Sequence, residues 1–239
     1  MKILVVPDVH GRTFWKEAVE KHEKECNKII FLGDYLDPYP WECITDGITR
    51  KTTIENFKEI IQYKKDNPDK VILLLGNHDL PYYDRNFKFR VRYDSSNAFK
   101  IKQNFSRNRG LFQLAYEIDL DKRYLFTHAG VLKSWYEKHK ELIGDFTVDN
   151  LNRLKTFPDG IKALCDISRE RGGFGRIGSM VWSDINEKGV AEDIEGIYQV
   201  FGHSQQDEHP VITRTWACLD CRKAFILTED GGFQDVQEK

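Results

Sequence analysis

A chain of 239 residues, 40% hydrophobic and 31% charged, can bury a sizeable core and lacks the bias of a disordered or fibrous protein. Its net charge of −2 gives no overall nucleic-acid-binding signature. No stretch approaches the roughly 18 apolar residues of a membrane span. The apolar start ends at Pro7-Asp8, too early for a signal peptide. Five cysteines, an odd count without secretory context, point to reduced thiols and a cytoplasmic setting. Cys218-Leu-Asp-Cys221 is a lone C-x-x-C and reads as strand residues.

In chain order, Met1–Val6 reads as a short buried strand, and Thr13 opens a helix over Phe14–Glu23. Lys28–Leu32 is a second strand. Residues 38–46 read as a loop, and Thr52 or Thr53 starts a helix running to Lys65, with Ile54, Phe57, Ile60 and Ile61 on one face. Asn67-Pro68-Asp69 stops that helix before a third strand from Val71 to Leu75. This alternation predicts an α/β fold. Residues 81–123 are aromatic and basic and read as a helical insertion after the third strand. Tyr124–Phe126 resumes the sheet, Leu132–Leu142 is helical, and Leu151–Ser168 is helical around a break at Pro158-Asp159-Gly160. A glycine-dense loop, 171–178, leads to Trp182-Ser183-Asp184. Ile197–Phe201 is a further strand. Val211–Trp216, Ala217–Leu219 and Ala224–Thr228 read as antiparallel strands, with a frayed tail after Gly231. Polar residues of interest run from Asp8 to His203, so the chain reads as one domain, 1–239.

Five of these strands end in the same way. Asp8-Val-His10, Gly33-Asp34-Tyr-Leu-Asp37, Gly76-Asn77-His78-Asp79, His128-Ala-Gly130 and Gly202-His203 each follow an apolar run. The carboxyl ends of strands are where α/β sheets build sites. Asp8, His10, Asp34, Asn77, His128 and His203 form an oxygen and nitrogen ligand set without thiolate. That set suits Mn, Fe or Zn better than Ca. Six ligands exceed the need of one catalytic ion but fit two sharing a carboxylate. Such a pair activates water toward a phosphoryl group, and the leaving oxygen then needs a proton. His78, next to Asn77, is the expected donor, with Asp37 holding it. Taken singly, each of these residues could be a buried, hydrogen-bonded polar group.

The five blocks, in this order, resemble the calcineurin-like metallophosphoesterase superfamily, nearest its serine/threonine phosphatase and diadenosine tetraphosphatase branch. The resemblance implies two facing mixed β-sheets flanked by helices. It implies one metal on Asp8, His10 and Asp34, and a second on Asp34, Asn77, His128 and His203. The implied reaction is hydrolysis of a phosphomonoester by a hydroxide bridging the two ions, with His78 and Asp37 as the catalytic pair. A nucleotide pyrophosphatase or phosphodiesterase, such as a diadenosine tetraphosphate hydrolase, is the alternative, and a non-catalytic scaffold on the same fold is a third.

The chain departs from that branch at three places: Pro38 stands where the branch has an arginine after G-D-x-x-D, Leu75 where it has one before G-N-H, and Asp79 where its serine/threonine phosphatases have Glu; Gln205 stands where other branches have a second histidine on the first metal. The missing arginines are a phosphate clamp, which lysine or neutral groups replace poorly. Substitute cations are sought in the basic run Arg85, Lys88, Arg90, Arg92, Lys100, Lys102, Arg107 and Arg109, or in Arg12, Arg171 and Arg176. The substrate residues nominated are Arg12, Arg85 and Arg176; a solvated basic face is the plain alternative for the run. The expected partner is a phosphorylated substrate (phosphoprotein, nucleotide or small phosphoester), with no nucleic acid and no membrane.

Overall fold

The computed structural model describes residues 1–87, 91–187 and 194–236. In chain order the elements are β1 (Ile3–Val6), α1 (Phe14–His22), β2 (Lys28–Phe31), α2 (Pro40–Thr45), α3 (Arg50–Asp66), β3 (Val71–Leu74), α4 (Leu80–Tyr83) and α5 (Ala98–Arg107). There follow β4 (Phe112–Gln113), β5 (Ala115–Asp119), β6 (Arg123–Thr127), α6 (Lys133–Ile143), α7 (Val148–Arg153) and α8 (Pro158–Leu164). The last strands are β7 (Ile197–Phe201), β8 (Val211–Ile212), β9 (Trp216–Cys218), β10 (Phe225–Leu227) and β11 (Phe233–Asp235).

Two sheets form, in the order β11-β10-β1-β2-β3-β4 and β5-β6-β7-β9-β8. β1 to β4 are parallel, as are β6, β7 and β9. Side chains alternate across a strand, so each central strand serves two layers. Ile3, Val5, Ile30 and Leu32 pack between the sheets against Phe126, Tyr198 and Val200. Leu4, Val6, Ile29 and Phe31 belong to the other core, with Trp15, Ile54 and Phe57 of the helices. Burial on both faces is why these strands read as unbroken apolar runs. The result is the expected pair of facing mixed sheets flanked by helices. No helix among the described residues is long and apolar enough to cross a membrane.

Local chemistry shifts several boundaries. Residues 38–46 are not all loop: Pro40 supplies the fixed φ of a first helical turn, and Tyr39 and Glu42 close a capping arrangement at α2. α3 begins before the predicted threonines because Thr49 is the cap. Its hydroxyl accepts from the Thr52 amide at 3.1 Å, while its own amide donates to Thr52 Oγ1 at 2.9 Å. After β3 the described residues hold α4, then turns and irregular backbone, then α5 and a 3-10 turn to Leu111, and the chain continues as β4 and β5. β5 completes a hairpin with β6, register Ala115 to Thr127, which its apolar and polar alternation serves. The break at Pro158 is itself the first turn of α8. At the end of the chain β9 pairs parallel with β7, and β10 pairs antiparallel with β1 in the other sheet. The tail after Gly231 is not frayed through its first residues, since β11 pairs with β10.

The cap on α3 has a measurable consequence. Thr49→Ala should lower stability by about 1 kcal/mol in urea unfolding, the usual cost of losing a threonine N-cap. An unchanged midpoint would show that the cap contributes nothing.

Candidate metal centre and active site

The turns after β1, β2, β3, β6 and β7 converge on one cavity, lined by Asp8, His10, Asp34, Asn77, His78 and His203 together with Tyr39, Val91, Arg92, Arg171 and Trp182. His128 is fully buried behind it. Asp8, Asp34, His128 and His203 form one group of ligand atoms within 4.8 Å of each other, and His10, Asp34 and His78 form another. Asp34 is common to both. Its Oδ2 lies 3.5 Å from His10 Nε2 and 3.6 Å from His128 Nε2, between the two groups.

Backbone groups hold the ligands in position. Asp34 Oδ1 accepts from the His78 amide at 2.8 Å, and Asp8 Oδ1 accepts from the His203 amide at 2.9 Å. Each carboxylate therefore keeps Oδ2 for the cluster. His10 Nδ1 donates to the Leu36 carbonyl at 2.8 Å, and His128 Nδ1 donates to that of Leu32 at 2.9 Å. A carbonyl can only accept, so these bonds fix the tautomer and leave Nε2 as a lone pair.

Several features of the donors fit divalent cations. His128 Nε2 lies 2.9 Å from Asn77 Oδ1 and 3.1 Å from His203 Nδ1, so an unprotonated nitrogen faces an amide oxygen. Acceptors that close repel unless a cation lies beside them. Ligands about 2.1 Å from one cation at right angles are roughly 3 Å apart, which matches these separations. His203 Nε2 is buried with no hydrogen-bond partner. Burial holds His10 and His203 well below, and His128 below, the ordinary imidazole range, so all three rings are neutral. Burial pushes the Asp8 and Asp34 carboxyls up. Cations would satisfy both tendencies at once.

The local backbone is specialised for this convergence. The non-glycine residues in the left-handed region among those described are His10, Asp34, Asp37, His203 and Arg222, with φ between 44° and 66°. Four of them are predicted site residues. Asp and His tolerate this region better than most residues, though at a cost of order 1–3 kcal/mol. Two glycines have a steric reason. A Cβ on Gly76 would lie 2.1 Å from Asp34 Oδ1, and one on Gly202 would lie 2.2 Å from Asp8 Oδ1. The glycines before Asn77 and His203 thus make room for carboxylates arriving from other strands.

His78 and Asp37 are in contact: Nδ1 lies 3.0 Å from Asp37 Oδ2. The other oxygen of Asp37 accepts from the Tyr82 hydroxyl at 2.6 Å, which itself accepts from the Asp94 amide. Tyr82 was not singled out by the sequence, where it is one aromatic among many. Neither was the role of Asp79. Its fully buried carboxylate accepts from the amides of Asp34 (2.7 Å), Gly76 (2.9 Å) and Tyr35 (3.1 Å), tying the β2 turn to the β3 turn. Burial and the neighbouring Asp34 push its carboxyl well above the ordinary range.

The nominated arginines lie elsewhere. Arg12 is buried but does not line the cavity: Nε donates to Glu42 at 2.8 Å and Nη1 to the Asp8 carbonyl. Arg85 and Arg176 are exposed and do not line the cavity. Lys88 and Arg90 lie outside the described residues. Among the described residues the cations lining the cavity are Arg92 and Arg171. Arg92 Nε donates to the Asp37 carbonyl, its guanidinium lies 3.7 Å over the Tyr39 ring, and Nη2 is buried without a partner. Arg171 donates to Ser204 Oγ at 2.7 Å and the His203 carbonyl at 3.1 Å, with Nε 2.8 Å from Asp184. No periodicity distinguishes Arg92 within its basic run, so the sequence offered no means of choosing it. Gln205 is exposed, and its amide oxygen, in the orientation that satisfies both groups, accepts from Arg222 rather than facing the cluster.

The sequence profile of the calcineurin-like phosphoesterases matches residues 1–207, and the chain belongs to that family of hydrolases. A curated relative is serine/threonine-protein phosphatase 7 of Arabidopsis thaliana, 25% identical over 138 residues that make up 55% of this chain and 30% of that protein. The chain thus spans under a third of that relative's length. Among solved structures, a cold-active protein-tyrosine phosphatase of a psychrophilic Shewanella superposes with a TM-score of 0.60 at 15% identity, over 99% of this chain and 80% of that one. A protein serine/threonine phosphatase from Saccharomyces cerevisiae superposes with 0.51 at 14% identity, over 95% and 72%. At these identities the structural likeness is one of fold.

Gly202→Ala tests the steric argument. We expect Mn²⁺ affinity, measured by calorimetry, to fall at least tenfold, on the order seen when the support of a metal ligand is lost. Wild-type affinity in a folded variant would show that the close approach at Asp8 is immaterial.

Proposed function

We propose that this chain is a two-metal phosphomonoesterase acting on a phosphorylated protein, nucleotide or small phosphoester. The observation that carries the reading is the pair of donor groups sharing Asp34, with the His78–Asp37 couple at the edge of the same cavity. Asp8, His10 and Asp34 would hold one cation, and Asp34, Asn77, His128 and His203 the other. Mn²⁺ is the ion we favour in vitro, with Fe or Zn as alternatives that the donors also suit. Bound there, such ions would acidify a water and neutralise the phosphoryl oxygens.

The chain's own residues do the rest. Arg92 and Arg171 both line the cavity, so a phosphoryl group entering it meets two guanidinium groups. When the phosphorus–oxygen bond to the alcohol breaks, that oxygen takes a proton from His78. Asp37 accepts from Nδ1, which leaves Nε2 as the atom that can donate. Tyr82 occupies the second oxygen of Asp37 and keeps it from turning away. The curated relative's identity as a protein phosphatase supports the monoester reading. We assign the whole chain to one domain, working in a reducing compartment, in keeping with its odd count of five cysteines.

The reading is tested by stripping the protein with chelator, restoring Mn²⁺, and comparing p-nitrophenyl phosphate, bis-p-nitrophenyl phosphate and diadenosine tetraphosphate. Metal-dependent preference for the monoester is expected. Preference for the diester or dinucleotide would replace the reading with a nucleotide pyrophosphatase or phosphodiesterase, and no turnover with any metal would leave a binding scaffold. His78→Ala should slow alkyl phosphates, whose leaving groups need the proton, roughly 10²-fold or more, and p-nitrophenyl phosphate far less. Equal slowing of both would assign His78 a positioning role.

A further inference from the structure

A second cavity of about 400 Å³ adjoins the first, lined by Leu36, Pro38, Pro40, Ile54, Tyr93 and Ile101 among others, with Arg92 and Asp37 on its wall. Arg92 lines both cavities. Asp37 also holds His78, so the proposed proton donor stands at the boundary between the metal cluster and this apolar space. We propose that the second cavity is the subsite for the alcohol portion of the substrate, and that it selects phosphomonoesters of an aryl or similarly flat, apolar alcohol. The inference rests on the phosphomonoesterase reading and gives it a substrate class.

Four observations support it. The position is right, because the oxygen protonated by His78 carries the organic group, and this cavity lies on the Asp37 side of His78. Its volume falls within the usual range of small-molecule sites. The walls are apolar and their charges are balanced. Arg50 lies 3.8 Å from Asp94, and Asp37 is engaged by His78 and Tyr82, so a second anionic group finds no spare cation apart from the shared Arg92. Exposed large apolar side chains also gather near the cavity: of the seven among the described residues, Tyr93 lines it, and Trp41, Ile44 and Phe99 lie on α2 and α5, each of which contributes a wall residue. Tyr93 lies parallel to Tyr82, ring centroids 4.5 Å apart, so one rigid ring face is already in place on the wall.

Pro38 gives the arrangement a chemical logic. A proline there cannot supply a guanidinium, but it adds an apolar wall, and Arg92 from the segment after β3 brings charge to the boundary instead. The same exchange opens one cavity to an apolar group and leaves the other able to take phosphate.

Cys43 lines the cavity and is exposed, which provides a direct probe. In the Mn²⁺-loaded full chain, alkylation of Cys43 by iodoacetamide is followed by peptide mass spectrometry, which separates it from Cys165. Naphthylmethylphosphonate, a non-hydrolysable aryl analogue, should slow Cys43 alkylation about fivefold or more, and methylphosphonate should not, as expected of a pocket that contacts the organic group. Equal protection by both, or by neither, would overturn the subsite. In parallel, Cys43→Trp, which fills the cavity, should lower the ratio of kcat/KM for 2-naphthyl phosphate to that for glycerol 3-phosphate about tenfold or more. An unchanged ratio would overturn the subsite while leaving the phosphomonoesterase intact. If wild-type protein hydrolyses neither ester, the phosphomonoesterase reading fails, and the alkylation result still decides whether the cavity takes an aryl group.

Discussion

The site depends on how one short turn is fixed to another. Asp34 follows β2 and Asn77 follows β3, and nothing in strand pairing alone dictates that the two turns should meet. The meeting is enforced by crossed hydrogen bonds: the His78 amide donates to Asp34, while the amides of Asp34 and Tyr35 donate to Asp79. Asp79 also accepts from Gly76, so a single buried carboxylate holds both turns. Removing it would leave three amides unpaired in a dry interior, each costing on the order of 1–3 kcal/mol. The same device recurs between the first and last motifs, where the His203 amide donates to Asp8 across 195 residues of sequence.

These restraints hold several residues in conformations they would not choose freely. His10, Asp34, Asp37 and His203 all adopt positive φ, and backbone strain concentrated at one place in a fold accompanies function rather than stability. The strain is sustained by unbroken apolar strands on both sides of the sheets, which leave the turns little freedom to relax. Gly76 and Gly202 then permit the close approach that side chains would block. Rigid sheets, small residues and accepted strain together yield neutral imidazoles and carboxylates aimed at common points.

Much of this was legible in the sequence because the physical causes are local. Apolar runs bounded by Gly-Asp, Gly-Asn-His and Gly-His identify both the strands and the ends at which chemistry collects, and the five blocks arrive in one cavity. Contacts set by tertiary geometry were not legible. Arg92 is one of several cations in a run with no clear period, and what distinguishes it is its place over Tyr39 and beside Asp37. Arg12 looked available because it follows His10 closely, yet Glu42 from the α2 turn engages it. At the end of the chain three strands were legible in outline, while β11 and the pairing were not, because Trp216–Cys218 and Phe225–Leu227 join different sheets. A short apolar strand does not specify its neighbour.

The central claim is that Asp34 is shared between two cations. It is tested most directly by titrating Mn²⁺ into the metal-free protein and recording electron paramagnetic resonance spectra. The account predicts two ions per chain and an exchange-coupled signal that Asp34→Asn abolishes, whereas Asp8→Asn leaves a single uncoupled ion in the other site. One ion per chain in the wild type, or two uncoupled ions whose spectra ignore Asp34→Asn, would contradict it.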